Sequence, residues 1–305
     1  MKKHRFKIEG SDIGGKVASA SLLREALGML VDGARMAVRL RLDGKSTSRG
    51  TLPAWVEKGA NFGVEVKPGS LVLVTHEKTF EEALPERFAQ QDMFLEIDPK
   101  ESALGCFFRG MEDALDGKKD SDYYDEGIIS HVVGVKNLFS RGADKLTISN
   151  GRDRRVTFED LKTVERLKVE TPQARQVRLA GKLDAIRHHD RMFTLLVEGG
   201  HAVRGVAEQA DENELANLWG KNVLVSGLAV FKPAGSLLRV EAATFQQVEG
   251  DIPELWAKLP TPLERGTDVR AVRKAQGSRS GVNAIIGRIP DELPDDEFIA
   301  LLEAM

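Results

Sequence analysis

Between residues 173 and 248, apolar residues recur at every second position in a succession of short runs separated by turn signals. This pattern constrains the fold more than any other in the chain, because a period of two places successive side chains on opposite faces of a strand. In "KNVLVSGLAVFKPAGSLLRVEAA", residues 221–243, Val223, Val225 and Gly227 alternate with Leu224, Ser226 and Leu228. Beyond a Pro233-Ala234-Gly235-Ser236 turn, Leu238, Val240 and Ala242 alternate with Arg239 and Glu241. A hairpin with one apolar face is marginal alone in water, so it must belong to a larger sheet.

Upstream of that hairpin, "QVRLAGKLDAIRHHD", "RMFTLLVEGG" and "HAVRGVAEQ" read as three strands, and "DENELANLWG" as a short helix. The order strand, strand, strand, helix, strand, strand resembles the OB fold, a small five-stranded Greek-key barrel with a helix plugging it between strands three and four. Gly181 permits the sharp coil by which a first long strand serves both halves of such a barrel. The Gly199-Gly200 pair supplies positive φ for a tight connection. Leu215, Leu218 and Trp219 form the apolar stripe of the plugging helix, and Gly220 ends it.

The chain before residue 170 has a different rhythm. Residues 4–9 alternate Phe6 and Ile8 with charged neighbours, as in a half-buried strand. From Ser19, Leu22, Leu23, Ala26, Leu27, Leu30 and Val31 recur at helical spacing, ending near Gly33. "ARMAVRLRLDG" then predicts a strand, with Met36, Val38, Leu40 and Leu42 on one face and Arg35, Arg39 and Arg41 on the other. Phe62, Val64 and Val66 belong to a further strand, and Leu71 and Leu73 to its partner across a Lys67-Pro68-Gly69-Ser70 turn. Helices are predicted over 100–117 and 126–141, and a hairpin around Asn150-Gly151. The fold class is therefore α+β. Residues 1–170 form an α+β domain with an antiparallel sheet, "ETPQAR" (170–175) links it to the OB-like barrel at 173–248, and residues 249–305 form a flexible tail.

Composition narrows the function classes. A chain of 305 residues with a net charge of -3 has no chain-wide attraction for nucleic acid or anionic membrane, so any such binding must come from local patches. The single cysteine, Cys106, excludes an internal disulfide and any thiolate zinc cluster. Its apolar helical setting, "ALGCFFRGM", marks a buried structural thiol rather than a nucleophile. The basic start "MKKHRFKIEG" has no apolar stretch behind it, so no secretory signal is expected. No run approaches the roughly eighteen apolar residues that span a bilayer, and a cytoplasmic protein is the expectation.

Motifs for catalysis are sparse. His188, His189 and Asp190 fall at a strand-to-strand turn, where adjacent imidazoles point apart and do not share an ion. His4, His76, His131 and His201 are scattered. The acidic stretch "KKDSDYYDEG" places Asp120, Asp122, Asp125 and Glu126 in an inter-helix loop without calcium-loop spacing, which reads first as a loop ending in a helix cap. Phosphate-loop, dinucleotide and nucleophile-elbow motifs are absent. No cofactor and no metal is expected.

Nucleic-acid binding has a firmer physical basis, since OB barrels that hold single strands use a basic groove. Four of the acids in the barrel (Glu208, Asp211, Glu212 and Glu214) cluster around the plugging helix, which leaves the strands locally basic. Arg178, Lys182, Arg187, Arg204, Lys232 and Arg239 are the candidate phosphate contacts. Aromatics are few, with Phe193, Phe231 and Phe245 on strands, so a barrel that serves only as a docking module is the competing reading.

The tail reverses charge along its length. Residues 264–288 carry Arg265, Arg270, Arg273, Lys274, Arg279 and Arg288 on a Gly/Ser-rich tether, and the end carries Asp291, Glu292, Asp295, Asp296, Glu297 and Glu303. Ile285, Ile286 and Ile289 precede the acids, and a short amphipathic helix with Phe298, Leu301 and Leu302 on one face follows. Such a helix is too short to be stable alone and folds only against something. The last twenty or so residues resemble the C-terminal neutralising peptides of bacterial antitoxins that inhibit PIN-domain ribonucleases, with Ile289 where an aromatic is usual. That resemblance implies a protein partner, a PIN-like or other nuclease, held by Ile286, Ile289, Phe298 and Leu301.

Together these readings predict a non-enzymatic binding protein of a toxin–antitoxin or defence-type system. It would contact single-stranded nucleic acid through the barrel and a partner through the tail, without a membrane. The alternative is a metal-dependent enzyme with its site near Asp120, Asp122 and Glu126.

Overall fold

The structure is a computed structural model that describes residues 1–10, 19–48, 50–67, 71–88, 97–187, 191–207, 210, 212–250 and 254–263. It contains helices and two five-stranded sheets, an α+β arrangement. The first sheet is built on β1 (Lys2–Glu9). The long helix α1 (Ala20–Asp43), the short α2 (Ala54–Gly59) and a hairpin of β2 (Phe62–Lys67) and β3 (Leu71–Glu77) follow. Next come α3 (Phe80–Ala83), α4 (Pro85–Phe88), α5 (Ala103–Leu115), α6 (Glu126–Val133) and α7 (Lys136–Phe139). A second hairpin, β4 (Lys145–Ser149) and β5 (Asp153–Val156), turns at Gly151, and α8 (Leu161–Glu170) ends the region.

All pairings in this sheet are antiparallel, in the order β2-β3-β1-β4-β5. Strand alternation sends Phe6, Ile8, Leu71, Leu73, Leu146 and Ile148 to one face. There they join Leu22 and Leu30 of α1, Phe107, Phe108 and Met111 of α5, and Ile128 of α6 in one buried cluster. The opposite face carries Lys3, Arg5, Lys7 and Glu9 of β1, Thr147 of β4 and Arg155 of β5, together with Val72, Val74 and His76 of β3. Val64 and Val66 lie on the edge strand β2 and are exposed rather than buried.

The strand expected over 35–42 is instead the second half of α1. Gly33 does not end the helix. It lies inside it, and a Cβ there would sit 2.6 Å from the Phe107 ring, so its small size lets α1 and α5 approach. Beyond Gly33, Ala34, Ala37, Val38, Arg39, Leu40 and Leu42 are all buried. A helix covered on several sides shows apolar residues at alternate positions without being a strand. It ends at Gly44, whose φ of 76° is the left-handed conformation that glycine adopts without strain.

The second sheet begins at β6 (Arg175–Arg187), four residues after α8. It continues through β7 (Met192–Leu196), β8 (Ala202–Val206), α9 (Glu212–Leu218), β9 (Asn222–Phe231) and β10 (Leu237–Gln247). The strands close on themselves in the order β10-β8-β7-β6-β9, with β9 and β10 paired to complete the ring. Only β8 and β10 run parallel. The first half of β6 pairs with β9 and its second half with β7, across a register shift between Leu183 and Ala185.

Leu179, Leu183, Phe193, Leu195, Val203, Val223, Val225, Val240 and Phe245 fill the interior, joined by Leu215 and Leu218 of α9. Phe193 and Phe245 meet edge-to-face at 5.0 Å, over the space left by the missing side chain of Gly205. Trp219 is not part of the apolar stripe of α9. It is 67% exposed and its indole N–H donates to the Asp184 carbonyl at 2.9 Å, outside the core. The short α10 (Glu254–Ala257) packs on β6. Among the described residues no helix is long and apolar enough to cross a membrane.

Candidate nucleic-acid interface

The two sheets meet at the loop between α5 and α6. Asp125 caps α6, its carboxylate accepting from the Ile128 N–H at 3.2 Å and from the Ser46 hydroxyl at 2.5 Å and N–H at 3.1 Å. The guanidinium of Arg239, on β10, lies 3.4 Å from the same buried carboxylate and 2.9 Å from Glu241. Beside it the turn of the β9–β10 hairpin docks on the loop. The Lys232 ammonium lies 3.2 Å from Asp120 and 2.9 Å from Asp122, the Ser236 hydroxyl donates to Asp120 at 2.6 Å, and the Ala234 N–H donates to the Lys119 carbonyl at 3.1 Å. The Ser236 hydrogen bond foremost, and Lys232 after it, hold the Asp120 carboxyl below its ordinary value.

This geometry corrects two expectations. Lys232 and Arg239 were predicted to face phosphate from the barrel surface, whereas both are bound to carboxylates of the first region. The Asp120 and Asp122 pair was the alternative metal site, and the cation it holds is the Lys232 ammonium. Glu126, exposed at the start of α6, is in no such cluster. Among the described residues no group of three or more histidine, cysteine or acidic side chains is placed to hold a metal. Asp125 is the helix cap that the sequence implied.

Between the C-terminal end of α1 and the outer face of β7 and β8 lies a cleft of about 350 Å³. Alternation determines what the barrel shows to it. Phe193 and Leu195 point inward, so Met192, Thr194 and Leu196 point out; Val203 points inward, so Ala202, Arg204 and Val206 point out. Gly44 seats the end of α1 on this face, its added Cβ position only 3.2 Å from Met192 and Val206. Arg204 stands across the β7–β8 ladder from Thr194, Arg187 comes from the end of β6, Arg239 from β10 and Arg41 from α1. Asp122 and Asp184 are the acidic members of the wall, and Leu40 and Ile97 part of the apolar one.

Arg41 is held in place from below. Its guanidinium lies 3.3 Å from Glu101 and 4.6 Å above the Tyr123 ring, and Arg109 covers the same ring at 4.0 Å. The Tyr123 hydroxyl donates to Glu101 at 2.6 Å; burial first, and that hydrogen bond second, push its pKa up to about 12. Arg204 is lowered from the usual arginine value by burial and then by the like charge of Arg41.

Of the six predicted phosphate contacts, Arg187, Arg204 and Arg239 line this cleft, the last while bonded to Asp125. Lys232 lies in the docked hairpin turn, and Arg178 and Lys182 are exposed elsewhere on β6, away from the cleft. Arg41 is not among those six, because the row Arg35, Arg39 and Arg41 reads in sequence as the solvated face of a strand, whereas it lies on α1. His188, His189 and Asp190 lie outside the described residues, as do Ile286, Ile289, Phe298, Leu301 and the rest of 264–305.

Two buried groups have structural settings. The Cys106 thiol is buried and pushed well up by that burial, which keeps it protonated. His4 and Ser102 both bond the same Glu77 oxygen, at 2.7 and 2.6 Å, while Glu77 also accepts from the Leu104 and Gly105 N–H groups at the start of α5. With hydroxyl and imidazole both committed to one carboxylate, this is a helix anchor rather than a nucleophile with its base. Compared with protein families, curated proteins and solved structures, the chain has no match.

Proposed function

We propose that the protein is a non-enzymatic binding protein that takes up single-stranded nucleic acid in the cleft between α1 and the β7–β8 face. The observation that carries this reading is the convergence of Arg41, Arg187 and Arg204 on one space of about 350 Å³ that also has apolar walls, with Arg239 in the wall bonded to Asp125. Guanidiniums are suited to phosphate, and apolar side chains beside them offer surface to a base. The strand order, the parallel β8–β10 pairing and a helix between β8 and β9 support an OB-like barrel, whose second and third strands are the usual ligand face. The cleft lies over those two strands.

The C-terminal segment belongs to the same proposal. Residues 283–305 engage a protein partner of the nuclease type, with Ile286, Ile289, Phe298 and Leu301 as anchors, which places the protein in a toxin–antitoxin or defence-type pair. The commitment of Asp120 and Asp122 to Lys232 favours a binding protein over the metal-dependent enzyme.

The test is fluorescence anisotropy with an oligothymidine of about six nucleotides, within the site size of one OB-type barrel. Binding should fall steeply with salt, with a log–log slope near −2 if three arginines each neutralise a phosphate at ~0.7 apiece. Arg204→Gln should weaken binding about tenfold and make the slope shallower by ~0.7, while Arg178→Gln should do neither. Salt-independent binding, or none at low ionic strength, would leave the docking-module reading in its place.

A further inference from the structure

We infer that the open face of the N-terminal sheet is a second, separate binding surface for the backbone of single-stranded nucleic acid. Alternation along β1 sends Lys3, Arg5 and Lys7 away from the core that receives His4, Phe6 and Ile8. The registers then align residues from all five strands into rows across that face. Lys67, Val72, Lys7, Thr147 and Arg155 stand side by side on β2, β3, β1, β4 and β5. Neighbouring strands are ~4.8 Å apart, so the three cations of this row are spaced by about 10 Å from one edge of the sheet to the other.

With Lys3, Arg5 and Lys145, six cations share the face with three carboxylates, Glu9, Glu65 and Asp153. The carboxylates are already engaged: Glu9 by Lys7 and Lys145, Glu65 by His76, and Asp153 by the Ser149 hydroxyl. Lys3, Arg5, Lys67 and Arg155 are exposed, and among the described residues none has a carboxylate within ion-pair distance. A sheet that holds four such cations on one face attracts polyanion by charge alone. Val72, Val74 and His76 run between the basic strip of β1 and the edge strand β2. Val72 is buried, and the half-buried Val74 and His76 provide the apolar and ring surface on which a base can lie. Single-stranded nucleic acid combines those two requirements.

The surface is distinct from the arginine cleft, so probe length separates them. With full-length protein, an oligothymidine of about thirty nucleotides should bind more tightly than the six-nucleotide probe. Its salt slope should be steeper. The variant Arg5→Gln/Lys67→Gln/Arg155→Gln should weaken the long probe by about tenfold or more and reduce its slope by ~2, leaving the short probe unchanged. In the unmodified protein, photo-crosslinking to the long probe should label peptides from residues 1–9 and 145–156, a readout that does not depend on the variant folding. An unaltered slope for the long probe, or crosslinks confined to the barrel, overturns this surface while the cleft stands. If Arg204→Gln abolishes short-probe binding and the triple variant still weakens the long probe and lowers its slope, this surface stands. Absence of binding to both probes overturns both surfaces.

Discussion

The N-terminal sheet is open, with β2 and β5 as its edges and helices against one face, whereas the second sheet closes on itself around its own core. An open sheet sorts its residues between two faces, and its polar face is left to solvent. A closed sheet has no edge, and its outer surface becomes the place where neighbouring structure docks. Both outer faces carry exposed cations, Arg178 and Lys182 among those of the closed sheet, but the paired ones find their carboxylates in different places: Lys7 and Lys145 bond Glu9 of their own sheet. Lys3, Arg5, Lys67 and Arg155 stand exposed on the open sheet, while Lys232 and Arg239 of the closed one are held by carboxylates from the α5–α6 loop.

The largest effect should follow from breaking that hold. Asp125→Ala removes the cap of α6, the Ser46 contacts and the partner of Arg239 at once, and buried charges left unpaired are costly. Urea unfolding should show a loss of about 3–5 kcal/mol, with barrel and N-terminal region separating into two transitions. Arg239→Met, which leaves Asp125 its other donors, should cost less than Asp125→Ala. A cost below about 1 kcal/mol for Asp125→Ala would mean that the two sheets are not joined through this carboxylate.

Within α1, two glycines sharpen the account of how that helix is buried. Gly33→Ala pushes a methyl to 2.6 Å from the Phe107 ring and should destabilise by about 1–3 kcal/mol. Gly28→Ala meets nothing within 4 Å and should stabilise by about 0.5–1 kcal/mol through helix propensity. Equal signs for the two changes would contradict the packing of α1 on α5.

Acid should loosen the hairpin turn in a defined direction. The folded Asp120 carboxyl titrates below its ordinary value, so its contribution is present above the unfolded value near 4 and disappears as pH falls through the folded one. Limited proteolysis of the 232–236 turn should accelerate over that window, and Asp120→Asn should flatten the dependence. The smallest effect on stability is expected from deleting residues 283–305, within about 0.5 kcal/mol by urea unfolding. The same deletion should abolish capture of a nuclease partner, because a few buried anchors dominate such interfaces.

The barrel strands were legible because Val223/Val225 and Val240/Ala242 fall on the inward face at every second position and glycines mark the turns, even though the outward Leu224 and Arg239 are themselves covered by neighbouring structure. The second half of α1 was not, because Val38, Arg39, Leu40 and Leu42 are buried on several sides and local periodicity no longer reports a single face. Trp219 followed helical spacing but lies past the last turn of α9, where its N–H finds a backbone acceptor. Half of the cleft was visible as basic residues on strands. The other half depends on which carboxylates fold back against them, and no local pattern links Lys232 or Arg239 to acids more than a hundred positions earlier.

That separation along the chain has a consequence for biosynthesis. Asp120 precedes Ser236 by 116 residues, and Asp125 precedes Arg239 by 114. At ordinary translation rates, roughly five to twenty-five seconds pass between the emergence of the acids and that of their basic partners. During that interval a nascent chain presents Asp120, Asp122 and Asp125 without Lys232 and Arg239, and the arginine cleft does not yet exist. Assembly of the binding cleft is therefore a late event, set by the ribosome reaching the β9–β10 hairpin and not by the folding of the first sheet.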